Sequence, residues 1–171
     1  MRSRFWWRML AGWMCVMIGV SGCACSPVEE GALNFQKQEC RFTGVCQVKM
    51  AGDDLGDEYV VEILHRTDGS GELTFLSPET IAGCKYLRTS GGEYSFQAED
   101  MIFPVGENPT TQAVFGLFSL SEDDIVKAST SKEKGEGVNV LTFDGGIRLY
   151  LDRHGMPLYY DHPAVTLTVH R

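Results

Sequence analysis

Apolar and polar residues alternate with a period of two over most of the chain after residue 40. In the segment Phe42–Met50, the even-numbered positions form one face that carries Phe42, Cys46 and Val48, and Gln47 and Lys49 lie opposite. This alternation is typical of strands with one buried face. Ten segments show strand patterning, separated by turns rich in glycine and acidic residues: 42–50, 59–66, 72–77, 84–89, 93–98, 125–131, 138–143, 146–152, 158–160 and 165–170.

One longer segment, Thr110–Leu120, is apolar over most of its circumference and predicts a helix buried against the sheet. Ser77–Gly83, with Pro78 after a capping serine, predicts a single helical turn. Met101–Val105 is a short apolar piece interrupted by Pro104. The expected fold class is therefore mainly β (α+β): a strongly curved antiparallel sheet, forming an incomplete barrel of about nine to ten strands, with one main helix packed on its concave side.

The N-terminal region has a different pattern. Three arginines precede the apolar segment Met9–Val20, which is too short to span a bilayer stably. The basic stretch, the short apolar segment and the small residues that follow are typical of a secretory signal peptide. Val20–Cys23 resembles the lipobox of bacterial lipoproteins, which implies cleavage before Cys23 and acylation of Cys23 with lipid-derived chains such as palmitate. We expect a signal peptide (1–22), a lipidated tether (23–32) and one folded domain (33–171).

The net charge of the chain limits the classes of binding partner that the protein can have. Residues 1–22 contain three arginines and no acidic residue, so their removal takes the formal net charge from −8 to −11. An acidic protein is a poor ligand for nucleic acid, and its membrane contact has to come from the acyl chains on Cys23.

The other cysteines of the mature chain are Cys25, Cys40, Cys46 and Cys84. Cys40 and Cys46 lie too far apart on one strand to form a disulfide with each other. Two alternatives remain: one of the two forms a disulfide with Cys84, or both are buried free thiols.

The chain also resembles a known superfamily. The matching segments are Gly71–Glu79, Ile81–Gly83, Met101–Pro104 and Leu149–Leu158, and the similarity covers roughly residues 33–170. In this layout the chain resembles the LolA/LolB superfamily of lipoprotein-carrier folds, and more closely a group of uncharacterised Gram-positive lipoproteins. The resemblance implies a concave sheet face that holds acyl chains or other apolar ligands, and it brings no catalytic residues. Some lipid-anchored relatives in spore-forming bacteria are partners of cell-wall enzymes, so a docking role is also implied.

The residues expected to line an apolar cavity are large apolar side chains of the strands and the helix. They are Phe75, Phe96, Phe103, Phe115, Phe118, Leu149 and Tyr150. The alternative is that these side chains simply fill the core, as most large apolar residues do.

The sequence gives only weak support for a metal site or an enzyme active site. Asp152, His154, Asp161 and His162 lie around the last hairpins, but their spacing fits polar turns better than a metal site, and the acidic loop 53–58 lacks the spacing of a calcium loop. No serine elbow, phosphate-binding glycine loop or cysteine–histidine pair with an orienting carboxylate is recognisable. We therefore expect a non-enzyme without metal or cofactor: a lipid-anchored protein on the extracytoplasmic face of the cell membrane that binds an acyl chain or lipid. The alternative is an interaction module that docks a cell-envelope protein without a small-molecule ligand. A third and less favoured hypothesis is a hydrolase with an unrecognised site.

Overall fold

The computed structural model describes residues 31–49, 55–133 and 136–170. The signal peptide, Cys23, Cys25 and most of the predicted tether lie outside these residues. The strands are β1 (Cys40–Lys49), β2 (Leu55–His65), β3 (Gly71–Ser77), β4 (Lys85–Arg88), β5 (Tyr94–Ala98), β6 (Met101–Val105), β7 (Ile125–Glu133), β8 (Glu136–Phe143), β9 (Arg148–Leu151), β10 (Pro157–His162) and β11 (Val165–His170). The described residues contain one α-helix, α1 (Pro109–Gly116), and four short 3-10 helices: Asn34–Lys37, Leu117–Ser119, Glu122–Asp124 and Asp144–Gly146.

All eleven strands belong to one antiparallel sheet with the order β6-β5-β4-β3-β2-β1-β11-β10-β9-β8-β7. It consists of two meanders, β1 to β6 and β7 to β11, which join where β1 pairs with β11. The sheet does not close, because β6 and β7 are its two free edges. The predicted fold class is thus confirmed, with eleven strands instead of nine or ten.

The additional strand is β6, which was expected to be interrupted by Pro104. Proline has no N–H to donate and is tolerated in a sheet mainly at an edge. Pro104 lies opposite Ser95 of β5, and no strand pairs with the other side of β6. The edge position therefore explains why a proline-containing segment is still a strand.

The sheet curves around a single core. Leu73 of β3 and Leu141 of β8 belong to the same buried cluster. These strands are six steps apart in the sheet, which would separate them by about 29 Å if the sheet were flat. Their shared core, which also contains Val114 and Phe115 of α1, shows that the sheet bends around the helix.

Helix α1 begins where its sequence contains strong start signals. The Asn108 side chain accepts a hydrogen bond from the Thr110 N–H, and Pro109 occupies the first turn. The α-helix ends at Gly116 and continues as a 3-10 turn to Ser119, so the predicted helix 110–120 was too long at its C-terminal end. The predicted helical turn at Ser77–Gly83 is instead a hydrogen-bonded turn and not a helix.

The described part of the domain starts with a buried segment. Leu33 and Phe35 are almost fully buried, and Phe35 lies edge-to-face with Phe118, just after α1. Phe118 also contacts the ring of Phe42 and stacks on His65 with ring centroids 4.3 Å apart. We call this cluster of Phe35, Phe42, His65 and Phe118 the packed end of the domain.

No helix among the described residues is long and apolar enough to cross a membrane.

Candidate ligand-binding site

A half-open cavity of about 280 Å³ lies between the helix-facing side of β1 to β5 and the start of α1. It begins where the packed end stops, at the second half of β1. Its lining residues are Cys46, Val48, Tyr59, Val61, Leu73, Phe75, Ile81, Tyr86, Phe96, Asn108, Thr110, Thr111 and Val114. This is the concave face on which the sequence predicted an apolar site.

Four aromatic rings form a continuous row along the cavity wall. Successive ring centroids are 5.5 Å apart for Tyr59 and Phe75, 6.0 Å for Phe75 and Tyr86, and 5.0 Å for Tyr86 and Phe96. The rings come from β2, β3, β4 and β5, one from each strand. Because neighbouring strands place them on the same face, the period-two pattern of four separate segments produces one apolar wall.

The polar groups of the cavity lie on the helix side and at its rim. Thr110 and Thr111 belong to the first turn of α1, and the Thr111 hydroxyl donates to the Asn108 carbonyl oxygen at 3.0 Å. On the sheet side, the Tyr59 hydroxyl donates to Asp57 at 3.3 Å. Burial, together with the neighbouring Asp57 carboxylate, raises the pKa of Tyr59, so its phenol is neutral at physiological pH.

The cavity lining contains no charged side chain. Its one thiol, Cys46, is almost fully buried, and burial raises the pKa of Cys46 to about 11. At neutral pH this group is a protonated, weakly polar thiol and not a nucleophile. The arrangement can therefore hold an apolar molecule and donate or accept a few hydrogen bonds at one side.

The structure brings together two of the seven predicted lining residues, Phe75 and Phe96. Phe115, Phe118 and Leu149 are buried in the core beyond the cavity wall. Phe103 lies opposite Phe96 but on the edge strand β6, where its side chain is 45% exposed. Their role in ligand binding stays a prediction.

Tyr150, the seventh predicted residue, lies away from the cavity. It follows Leu149, which is fully buried in the core, so its side chain points to the opposite face of the sheet. There its ring lies edge-to-face with Tyr159 at 5.4 Å.

Sequence reasoning missed most of the lining residues. Tyr59 and Tyr86 stand in segments with a strand pattern, and they could have been found by aligning the aromatic positions of adjacent strands. The polar residues Asn108, Thr110 and Thr111 had one signal, their position at the predicted start of the helix. A prediction based on large apolar residues alone includes neither the two tyrosines nor the three polar residues.

A second depression of about 300 Å³ lies near the packed end, lined by Arg41, Phe42, Met156, Pro157, Val169 and His170. Arg41 and Phe42 are neighbours on β1, so they point to opposite faces of the sheet. The same holds for Val169 and His170 on β11. Its lining therefore combines residues from both faces of the sheet at the ends of β1 and β11.

The polar residues of the last hairpins have structural roles. One Asp152 carboxylate oxygen accepts hydrogen bonds from the His154 and Met156 N–H groups, both at 2.8 Å, and so stabilises the β9–β10 turn. The His162 Nδ1 atom accepts from the Ala164 N–H at 3.1 Å. Within 31–49, 55–133 and 136–170, no three histidine, cysteine or acidic side chains are grouped as metal ligands would be.

The cysteines of the described part of the chain, Cys40, Cys46 and Cys84, are free thiols. Of the two alternatives left open by the sequence, the structure has the buried free thiols for Cys40 and Cys46. Cys25 lies outside the described residues.

No protein-family model matches the chain, and no curated protein matches it. Solved structures similar to it include an outer membrane lipoprotein-sorting protein domain from Vibrio parahaemolyticus, so described, with 14% identity and a TM-score of 0.44 over 81% of this chain and 74% of that one. A LolA superfamily protein from Nitrosomonas europaea has 12% identity and a TM-score of 0.39 over 78% and 71%. An uncharacterised conserved protein from Thermus thermophilus has 11% identity and a TM-score of 0.46 over 82% and 81%.

Proposed function

We propose that this protein is a lipid-anchored lipoprotein on the extracytoplasmic face of the cell membrane. In this proposal it binds an apolar ligand, an acyl chain or a lipid, in the cavity between the sheet and the start of α1. It is not an enzyme in this proposal. The observation that carries the proposal is the cavity of about 280 Å³ whose wall is aromatic and aliphatic and contains no charged side chain. Its volume lies just below the usual range of about 300–1,000 Å³ for ligand sites.

The energetics of the cavity favour occupation. Water in a cavity of this kind gains few hydrogen bonds, because the polar groups are confined to the start of α1 and the rim. An apolar molecule that enters removes both its own surface and the aromatic wall from water, which contributes about 25 cal/mol per Å² of apolar surface. Such a site gains affinity without any catalytic group.

The anchor is tested with two neighbouring cysteines. Cys23→Ala removes the proposed acyl acceptor, and Cys25→Ala is a matched control two residues away. We expect the first variant to lose acylation and its lipid-dependent membrane association, and the second to remain in the membrane fraction. Wild-type-like acylation and fractionation of Cys23→Ala would contradict the lipobox interpretation.

The ligand is tested by native mass spectrometry of the domain purified from its host envelope. Val114→Phe introduces a larger side chain at the cavity wall, whereas Val126→Phe adds the same ring at a position that is 65% exposed on the edge strand β7. We expect a co-purifying lipid mass on the wild type and Val126→Phe, and its loss from Val114→Phe. Val48→Phe, at a half-buried lining position, serves as a second variant if Val114→Phe does not fold.

A docking function for a cell-envelope protein is the second candidate. The observation that favours it is the exposed apolar edge strand β6, where Met101 and Ile102 are 56% and 60% exposed. Ile102→Ser should then abolish cross-linking to an envelope partner, while Val114→Phe should leave it intact. A clean protein mass without lipid, combined with this result, would favour docking over ligand binding.

A further inference from the structure

We infer that the ligand is a neutral amphiphile with a single apolar chain and an uncharged head that carries hydroxyl or carbonyl groups, of which about nine heavy atoms in total are buried. This inference rests on the proposed ligand-binding function. It distinguishes such a molecule from a fatty-acid anion, from a cationic surfactant and from a lipid with two or more chains.

The volume of the cavity limits the number of chains. A group the size of a water molecule or a methylene occupies about 30 Å³ in a liquid, so about 280 Å³ accommodates roughly nine such groups. Two chains that enter side by side would each bury only four or five carbon atoms. Because the free energy of burial is proportional to the apolar surface removed from water, one chain uses this cavity better than two.

The absence of charge in the lining selects the head group. A carboxylate that enters the cavity would lose its hydration without gaining a cationic partner from any lining residue. The carboxylate at the rim, that of Asp57, already accepts the Tyr59 hydroxyl and would repel an anion. A neutral head avoids both costs.

The polar side of the cavity matches a neutral head. Thr110, Asn108 and Thr111 occupy the start of α1 and face the apolar floor formed by strands such as β3. The Thr111 hydroxyl donates its proton to the Asn108 carbonyl and keeps its lone pairs as acceptors. A hydroxyl group can donate to or accept from this set, and an ester carbonyl can accept from it, whereas a hydrocarbon without a head would leave it unused.

A cationic head is the main competitor, because four aromatic rings line the wall, cations bind to the faces of such rings, and the Asp57 carboxylate at the rim attracts a cation. Asp57 is exposed, so water and salt screen that attraction. The rings here contact each other in a row along the sheet, with interplanar angles of 71°, 65° and 58°. They form a wall and not a box that surrounds a cation from several sides. We therefore expect the cation to bind more weakly than the neutral molecule.

The test compares four probes below their micelle concentrations: 1-monodecanoylglycerol, decanoate, decyltrimethylammonium and 1,2-didecanoylglycerol. Each is used to displace the neutral dye N-phenyl-1-naphthylamine from the lipidated mature protein in detergent-free nanodiscs, with empty nanodiscs as the blank. We expect monodecanoylglycerol to bind at least fivefold more tightly than each of the other three. Tighter or equal binding of decanoate, the cation or the two-chain lipid overturns the inference.

A variant pair separates the polar contacts from general apolar binding. Thr110→Val removes a lining hydroxyl at nearly constant volume, and Thr168→Val makes the same change at an exposed position of β11. We expect Thr110→Val to weaken monodecanoylglycerol about fivefold and the dye not at all, as one lost hydrogen bond predicts. Thr168→Val should change neither, and an unchanged affinity of Thr110→Val for monodecanoylglycerol would contradict the proposed head-group contact.

The same titrations separate this inference from the proposed function. If neither the dye nor any probe binds more tightly to the wild type than to Val114→Phe, the ligand-binding function fails, and the inference fails with it. If the probes bind but rank in another order, only the inference on ligand class is overturned.

Discussion

Cys46 illustrates how position within a strand determines the chemistry of a side chain. It lies in the middle of β1, opposite Tyr59 on one side and Leu167 on the other, and is 3% exposed. Burial raises the pKa of Cys46 to about 11, from the ordinary value of 9.0. A thiol in this environment is part of the apolar cavity wall.

This shift has a consequence for stability at alkaline pH. Above pH 9 the Cys46 thiol ionises in the unfolded chain but remains protonated in the folded one up to about pH 11. The unfolded state therefore binds fewer protons, and the stabilisation, complete below pH 9, is lost as the pH rises from 9 to 11. From pH 8 to 10.5 we expect the wild type to lose about 2 kcal/mol more than Cys46→Ala in urea unfolding. Parallel pH profiles of the two proteins would contradict this.

The packed end yields a second prediction at the residue scale. Phe118 contacts Phe35, Phe42 and His65, and it is 7% exposed. Phe118→Ala should lower the free energy of unfolding by about 3–5 kcal/mol, because it removes a buried ring and leaves a cavity. Phe103→Ala is the matched control, since Phe103 is 45% exposed, and we expect a change within about 0.5 kcal/mol. Urea unfolding measures the free energy of unfolding of both variants, provided that their m-values equal that of the wild type. Equal losses in the two variants would contradict the assignment of Phe118 to the buried core.

At the residue scale, the sequence predicts which side chains are apolar but not what each one faces. Phe75 and Phe118 look alike in the sequence, yet one lines the cavity and the other fills the packed end. The difference depends on the path of α1 across the sheet, which no local pattern encodes. Leu149 and Tyr150 are a similar case, because both are large and adjacent on β9, and their size alone does not show which of the two points to the concave face.

At the scale of elements, most strands could be predicted because the alternation of apolar and polar positions and the turn residues agree. The strand at Met101–Val105 was harder to recognise, since Pro104 argues against a strand unless its edge position is known. The helix was predicted to start at Thr110, one residue after its observed first residue Pro109, and to end later than it does. Asn108 and Pro109 determine the observed start of the helix locally. Nothing in its apolar C-terminal half distinguishes an α-helix from the 3-10 turn Leu117–Ser119.

Gly44 provides a prediction for the junction between the two meanders. It pairs with Val61 of β2 and Val169 of β11, and a Cβ atom built on Gly44 would lie 2.6 Å from the Thr168 carbonyl oxygen. Gly44→Ala therefore forces β1 and β11 apart, and we expect a loss of about 1–3 kcal/mol or more.

Gly137 is the matched control for Gly44. It also lies in a strand, β8, but nothing stands within 4 Å of its Cβ position. Gly137→Ala should leave stability unchanged or raise it slightly, because alanine restricts the unfolded chain. The comparison is made by thermal and urea unfolding. A Gly44→Ala protein as stable as the wild type would show that the junction can relax.

At the scale of the whole molecule, the pairing that joins the two meanders is the feature least accessible to sequence reasoning. Consecutive strands pair through short turns and can be inferred one hairpin at a time. The pairing of β1 with β11 joins segments more than a hundred residues apart. It is what lets Leu73 and Leu141 meet around one helix, and it creates a concave face from patterns that are each compatible with a flat sheet.

The same architecture separates the cavity from the proposed anchor. The described chain enters the fold at Leu33 and Phe35, in the packed end, whereas the cavity is lined by Val48 at the other end of β1. Eight steps of β1 separate Cys40 from Val48, which corresponds to about 26 Å. If Cys23 is acylated as proposed, the eight residues that lead to Gly31 span at most about 28 Å, and we expect the packed end to lie closer to the membrane than the cavity.

This orientation is measurable with two matched label positions, Glu39 and Glu79. Both side chains are exposed; Glu39 adjoins the packed end, and Glu79 lies in the turn that contains the cavity residue Ile81. Each is replaced by a labelled cysteine in a Cys25→Ala, Cys84→Ala background, in which the remaining thiols downstream of Cys23 are buried. On vesicles with a quencher on the lipid head groups, we expect stronger quenching of the label at Glu39 than at Glu79. Stronger quenching at Glu79 would place the cavity against the membrane, and ligand would then be exchanged with the bilayer that holds the protein. The expected result leaves the cavity accessible from the side away from that bilayer, so exchange would require a second carrier or a partner in the envelope.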